Sequence, residues 1–118
     1  MVAAIIIMTG CSQEHQEYIE GRGQAERDLA HGEFKVAIAD GSNIPAFAEY
    51  AELLHQRYRI RWFIYSLPAN PRAAEARVRG YNEVASPRIE REIGAQVLKQ
   101  TMADAQKLHD AATAKNVR

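Results

Sequence analysis

The chain has one cysteine, one tryptophan and no net charge in 118 residues. Cys11, standing alone, excludes an internal disulfide and any zinc site built on several thiolates. A formal net charge of zero means that no global field gathers nucleic acid or an anionic membrane. No nucleic-acid partner is therefore expected. No apolar run approaches the ~18 residues that a membrane-spanning helix needs. The short chemical signatures are missing as well. No glycine-rich phosphate or dinucleotide fingerprint follows a strand-like segment. None of Ser12, Ser42, Ser66 and Ser86 stands in a Gly-x-Ser-x-Gly setting. His15, His31, His55 and His109 fall in no metal-binding spacing. Glu52 and His55 lie three apart, as two ligands on one helix could, but no second such pair accompanies them. No cofactor, metal or catalytic residue is assigned, and the reading leans away from an enzyme.

What is present describes one folded domain. Hydrophobic residues make up 47% and charged residues 25% of the chain, which is ordinary for a globular protein and argues against disorder. The charge is neutral overall but segregated. From Ser12 to Glu33, six acids face Arg22 and Arg27, a net charge of −4. From Arg57 to Arg91, eight arginines face Glu75, Glu83 and Glu90, a net charge of +5. Attraction between the two segments within one fold is the simplest expectation.

The chain is organised around Phe34 to Leu67, which reads as strand, helix and strand. Phe34-Lys35-Val36-Ala37-Ile38-Ala39 alternates with the period of a pleated strand. Phe47, Tyr50, Ala51, Leu54 and Tyr58 are spaced like one face of a helix. Ile60 to Tyr65 is β-branched and aromatic, and Pro68 stops it. A helical connection between two strands favours parallel pairing with a right-handed crossover. The alternation in Arg57-Tyr58-Arg59-Ile60-Arg61-Trp62 suggests that this strand begins near Tyr58, with the arginines on a solvated face.

Helices flank this unit. Ser12 to Ala30 reads as one, with Tyr18, Arg22, Ala25 and Leu29 along one side. Gly21 and Gly23 each weaken it by roughly 1 kcal/mol relative to alanine. His31-Gly32 ends it, Gly32 as a left-handed residue and His31 as a cap. Asn70 caps a further helix and Pro71 takes its first position. Ala74, Val78, Tyr81, Ala85, Ile89 and Ile93 mark its face. Pro87 should kink it or restart it behind Ser86, and Gly94 should end it. Tyr81 should pack with its hydroxyl at the rim of the core, and Asn82 should cap or bridge to a neighbouring element. Val97, Leu98, Met102, Ala105 and Leu108 then mark a last amphipathic helix, and residues from Ala112 onward read as a frayed tail. The expected fold class is α/β: helix, strand, helix, strand and long C-terminal helices, with the domain proper over residues 11–112 and the tail over 113–118.

If the two strands are parallel, their carboxyl ends share one edge. Ligands in open parallel sheets bind there. The candidate rim is Asp40, Ser42, Asn43, Ser66 and Asn70. Asp40-Gly41-Ser42-Asn43 also suits a turn and helix cap for purely conformational reasons.

The first ten residues have two readings. Met8-Thr9-Gly10-Cys11, behind the apolar Val2 to Met8, resembles the lipobox of bacterial lipoproteins. By that resemblance residues 1–10 are the remnant of a signal peptide, and Cys11 takes the lipid. Met8 stands where leucine is usual, and no Lys or Arg precedes the run. In the other reading, Val2 to Met8 is a buried third parallel strand and Thr9 to Ser12 is a strand-to-helix turn. A wider resemblance rests on Asp28-Leu29-Ala30-His31-Gly32, Tyr50 through Tyr58 and Gly80-Tyr81-Asn82-Glu83-Val84. These are similar to landmarks of a family of small, uncharacterised bacterial proteins that often carry a lipobox. That family reads Arg-Tyr-Gly-Ile where this chain has Arg57-Tyr58-Arg59-Ile60, so Arg59 should adopt a backbone that glycine allows.

These features lead to a non-enzymatic interaction module, lipid-anchored in a bacterial envelope. Its partner would be another protein, or a second copy joining the open edge of a two-stranded sheet. The alternatives are a cytoplasmic α/β enzyme or small-ligand-binding domain using the rim, and an immunity-type protein.

Overall fold

The computed structural model describes residues 10–116. Val2 to Met8, on which both readings of the N-terminus turn, lie outside the described residues. The elements run α1 (Gly10–Ala30), β1 (Lys35–Ala39), α2 (Phe47–Tyr58), β2 (Arg61–Tyr65), α3 (Pro71–Ile93) and α4 (Ala95–Asn116). The strands form a two-stranded parallel sheet with Lys35 opposite Arg61 and Ala39 opposite Tyr65. The expected α/β fold, with its strand–helix–strand unit and long C-terminal helices, is the one observed.

Each face of the sheet is covered differently. Ala37 joins Ala25 of α1 and Tyr81 and Ala85 of α3 in one core cluster, with Phe63 packed against it. The rings of Phe63 and Tyr81 meet edge to face at 5.1 Å. On the opposite face, Val36 packs into a second cluster around Leu54 of α2, Ile60 and Ile89 of α3. There Trp62 meets Phe47 of α2 edge to face, also at 5.1 Å. Alternation along each strand thus sends successive side chains to α1 and the middle of α3 on one side, and to α2 and the later turns of α3 on the other.

Helix α1 ends as expected. Gly32 has φ +75 and its N–H donates to the Leu29 carbonyl, while the Glu33 N–H donates to the Asp28 carbonyl. This is the paired bond pattern of a left-handed helix stop. His31 Nδ1 lies 2.7 Å from the Arg27 carbonyl oxygen. Asn70 caps α3 through a bond from the Ala73 N–H (3.2 Å), with Pro71 in the first turn.

Helices α1 and α3 cross at two glycines. A Cβ on Gly21 would collide with the Arg77 carbonyl and come within 2.9 Å of the Tyr81 nitrogen. A Cβ on Gly80 would collide with the Tyr18 carbonyl. Gly23 has no such constraint, since only the far end of the Arg27 side chain lies near. The acidic face of α1 and the basic segment do meet at this crossing. Arg77 pairs with Glu17 (3.0 Å) and Glu20 (3.4 Å), donates to Gln24, and lies over the Tyr65 ring.

The strand start near Tyr58 and its alternating arginine face are corrected, and at Pro87 one of two alternatives is removed. The strand does not begin near Tyr58: α2 runs through Tyr58, and β2 starts at Arg61. Arg59 sits between them at φ 59, ψ 29, with its N–H bonded to the His55 carbonyl. The glycine-like backbone expected of Arg59 is therefore present, but the alternating arginine face is not. Arg57 belongs to α2 and pairs with Asp104 of α4 at 2.7 Å, rather than with the acids of α1. Helix α3 continues through Pro87 to Ile93 without restarting at Ser86. Both residues are exposed, so the carbonyl that Pro87 leaves unbonded can be solvated. Helix α4 stays helical to Asn116, past the expected start of a tail. Its buried line includes Thr101, whose hydroxyl donates to the Val97 carbonyl, while Leu108 is half exposed.

Helix α4 docks on α2 through Ala105, packed with Ala46, Leu53 and Tyr50, and through polar pairs. Glu49 accepts backbone and His109 hydrogen bonds, which hold its carboxyl below the usual range. Arg57 and Gln100 do the same for Asp104.

Candidate functional site: an open strand edge

The candidate rim can be placed residue by residue. Gly41, at φ +88, lets the chain turn after β1, and the Ser42 N–H closes the turn on the Ala39 carbonyl. Helix α2 begins only at Phe47, behind Ala46 at φ 59, and no side chain caps it. Ser42 and Asn43 thus act in a turn and not as a helix cap, and both are exposed. Ser66 donates to Asp40 Oδ2 at 3.2 Å. These two line a cleft of about 140 Å³ with Leu67, Pro68, Pro71 and Glu75. Asn70 is occupied by the α3 cap and by a 2.8 Å bond from its Nδ2 to Gln13 Oε1 of α1. The structure therefore brings Asp40 and Ser66 together, commits Asn70 to structure, and leaves Ser42 and Asn43 apart.

The sheet edges are more informative. Asn82, at mid-α3, lies 45 residues from β1 in the chain, yet it bridges to that strand. Its Oδ1 accepts from the Ala37 N–H at 2.9 Å, and its Nδ2 donates to the Ala37 carbonyl at 2.8 Å. The carboxamide presents one acceptor and one donor side by side, as a neighbouring strand does. The outer edge of β1 is thereby sealed. Tyr81 anchors the same turn of α3. It is only 1% exposed and donates to Asp28 Oδ2 at 2.6 Å. Burial, and then the Asp28 bond, push its phenol well above the usual range.

Among the described residues, the outer edge of β2 has no such cover. The Arg61 N–H donates to the Phe34 carbonyl at one end of the ladder, and the Asp40 N–H to the Tyr65 carbonyl at the other. In a parallel pair this phase turns Arg61, Phe63 and Tyr65 toward β1. It leaves the N–H and C=O of Trp62 and Ile64 on the open side. Among the described residues, none hydrogen-bonds to these four groups outside the ladder. The side chains beside them are apolar and exposed: Trp62 is 39% and Ile64 54% accessible. A groove of about 540 Å³ opens next to Trp62, lined by Ala48, Ala51, Glu52 and His55 of α2 and by Arg61. Glu52 and His55 are thus walls of this groove. Among the described residues, no three His, Cys, Asp or Glu side chains gather in a way that could hold a metal ion.

The exposed parallel edge is short and its charge is confined to Arg61 at the first position, so Trp62 and Ile64 stand on it with neither proline nor lysine. The alternating pattern of Ile60 to Tyr65 announces a strand, but nothing local says which edge stays open. That depends on Asn82 reaching back to β1. No family model, curated protein or solved structure matches the chain, so the geometry alone carries the functional reading.

Proposed function

We propose that this protein is a non-enzymatic interaction module whose working surface is the outer edge of β2, and that it accepts an extended, apolar, β-branched segment as an added strand. The observation that supports this is the asymmetry of the sheet among the described residues: β1 is closed at Ala37 by the Asn82 amide, whereas the backbone groups of Trp62 and Ile64 find no partner there and lie between exposed apolar side chains. Strand addition uses backbone bonds for affinity and alternate side-chain pockets for specificity. Here the backbone groups are those of Trp62 and Ile64, and the groove between α2 and β2 receives side chains from the added strand. The apolar part of the groove, Ala48, Ala51 and Trp62, favours a segment without charge at its centre.

Trp62 is the only tryptophan in the chain, which makes its emission a direct reporter. A lysine-flanked peptide of alternating valine and threonine, titrated into the full chain, should shift Trp62 emission to shorter wavelength. Ile64→Lys, which sets a charge on the edge, should abolish the shift. The reading fails if no shift appears with either the native chain or a variant whose N-terminal apolar run is broken by Ile6→Asp.

A further inference from the structure

We infer that Arg59 and Arg61 form a carboxylate-binding site at the amino end of β2, which takes the acidic group at the carboxyl end of an antiparallel added strand; this rests on reading the β2 edge as a strand acceptor. A cavity of about 280 Å³ opens at that end of the sheet, lined by Gly32, Glu33, Phe34, Tyr58, Arg59 and Arg61. Arg61, the first residue of β2, also lines the groove beside Trp62. The cavity therefore continues the acceptor edge past its first residue.

Charge selects the ligand. Of the eight arginines between Arg57 and Arg91, four are engaged elsewhere. Arg57 pairs with Asp104, Arg77 with Glu17 and Glu20, and Arg88 with Glu92, while Arg79 lies over the Tyr18 ring. Of the other four, Arg59 and Arg61 share this cavity. Both are exposed, and among the described residues neither has an acid within ion-pair distance. The acid in the cavity wall, Glu33, is taken by Lys35 at 3.0 Å. A guanidinium offers several donors in a rigid fork and no acceptor, which matches the two oxygens of a carboxylate. Phe34 and Tyr58 are half-buried aromatic walls, so an ion pair here is screened less than on an open surface. An unmodified strand brings its anion as Asp, Glu or its own carboxyl terminus.

The backbone of Arg59 supports the same assignment. Its φ 59, ψ 29 is unfavourable for a residue with a Cβ, and glycine adopts it freely. Among the described residues, its side chain returns no ion pair or hydrogen bond. Such a conformation, kept at the wall of a cavity, suits a side chain that acts on a ligand. Position then sets direction. The cavity adjoins the start of β2, so it meets the carboxyl end of an antiparallel strand or the amino end of a parallel one. Two guanidiniums repel a free amino terminus, which favours the antiparallel strand.

The test compares valine–threonine peptides by titration of Trp62 emission in the full chain. Each peptide has lysine at its amino end and, at its carboxyl end, glutamate amide, glutamine amide or glutamine with a free carboxylate. A fourth carries glutamate at the amino end and lysine amide at the other. Glutamate amide, the free carboxylate or both should bind about fivefold or more tighter than glutamine amide, and the two arms tell a side-chain carboxylate from a terminal one. The gain should shrink in high salt. In an Arg59→Gly, Arg61→Gln double variant, the ratio of affinities between the carboxylate peptides and glutamine amide should fall to about one. Equal affinity of the three peptides for the native chain overturns the inference. So does a gain that survives in the double variant, or one that appears only with glutamate at the amino end. In each of these cases the strand-acceptor reading is judged separately, by whether glutamine amide shifts Trp62 emission in a manner that Ile64→Lys abolishes. If no peptide shifts that emission, both fall.

Discussion

Single residues in this fold are held in conformations that their side chains do not choose. Arg59 is the clearest case. Its backbone at φ 59, ψ 29 closes α2 and aims the chain into β2, and its side chain is exposed. A left-handed backbone costs a residue with a Cβ about 1–2 kcal/mol, and glycine avoids that cost. Part of the gain is offset, because glycine also gives the unfolded chain more freedom. Arg59→Gly should therefore stabilise the protein by about 0.5–1 kcal/mol. A urea titration should show a higher midpoint with an unchanged slope. A lower midpoint would mean that the Arg59 side chain makes a contribution its exposure does not reveal.

Between elements, the glycines separate into two kinds that sequence cannot tell apart. Gly21 and Gly23 both lie in α1, and helix propensity assigns them the same penalty. The crossing with α3 distinguishes them, because Gly21 and Gly80 let the two backbones approach to contact while Gly23 touches nothing that must move. Gly23→Ala should stabilise by about 0.5–1 kcal/mol. Gly21→Ala or Gly80→Ala should cost about 3 kcal/mol despite better helix propensity, because the obstacle is backbone and cannot rotate away. Thermal and urea unfolding of the three variants would check the order; equal effects at Gly21 and Gly23 would refute the close crossing. What was legible in the chain was what local chemistry determines. The strand–helix–strand unit, the Asn70-Pro71 start and the His31-Gly32 stop all follow from neighbouring residues. Arg57 to Trp62 misled because an end of helix, a left-handed residue and a strand start together imitate an alternating strand. Thr101 was missed because its hydroxyl is satisfied within its own helix, so a polar residue lies in the buried line of α4. The bridge from Asn82 to Ala37 joins residues 45 apart, and only an unassigned role for Asn82 as a cap or bridge was readable.

For the whole molecule, the fate of the first ten residues decides whether the chain is anchored to a membrane. If a lipobox peptidase cuts before Cys11, the lipid sits at the first turn of α1, two residues from the Gln13–Asn70 bond. The carboxyl ends of the strands would then face the membrane, and Val2 to Met8 would be gone. If the chain keeps those residues, no mature lipoprotein is made. Expression in a bacterial host with the native upstream sequence, followed by intact-mass measurement of membrane and soluble fractions, separates them. The resemblance of Met8-Thr9-Gly10-Cys11 to a lipobox predicts a chain beginning at a diacylated Cys11 in the membrane fraction, and a soluble chain that retains Met1 to Gly10 would overturn the anchor. In either fraction, a valine–threonine peptide should slow exchange at the Trp62 and Ile64 amides and protect the single tryptophan from acrylamide, and unchanged exchange at both amides would argue against the β2 edge as a strand acceptor.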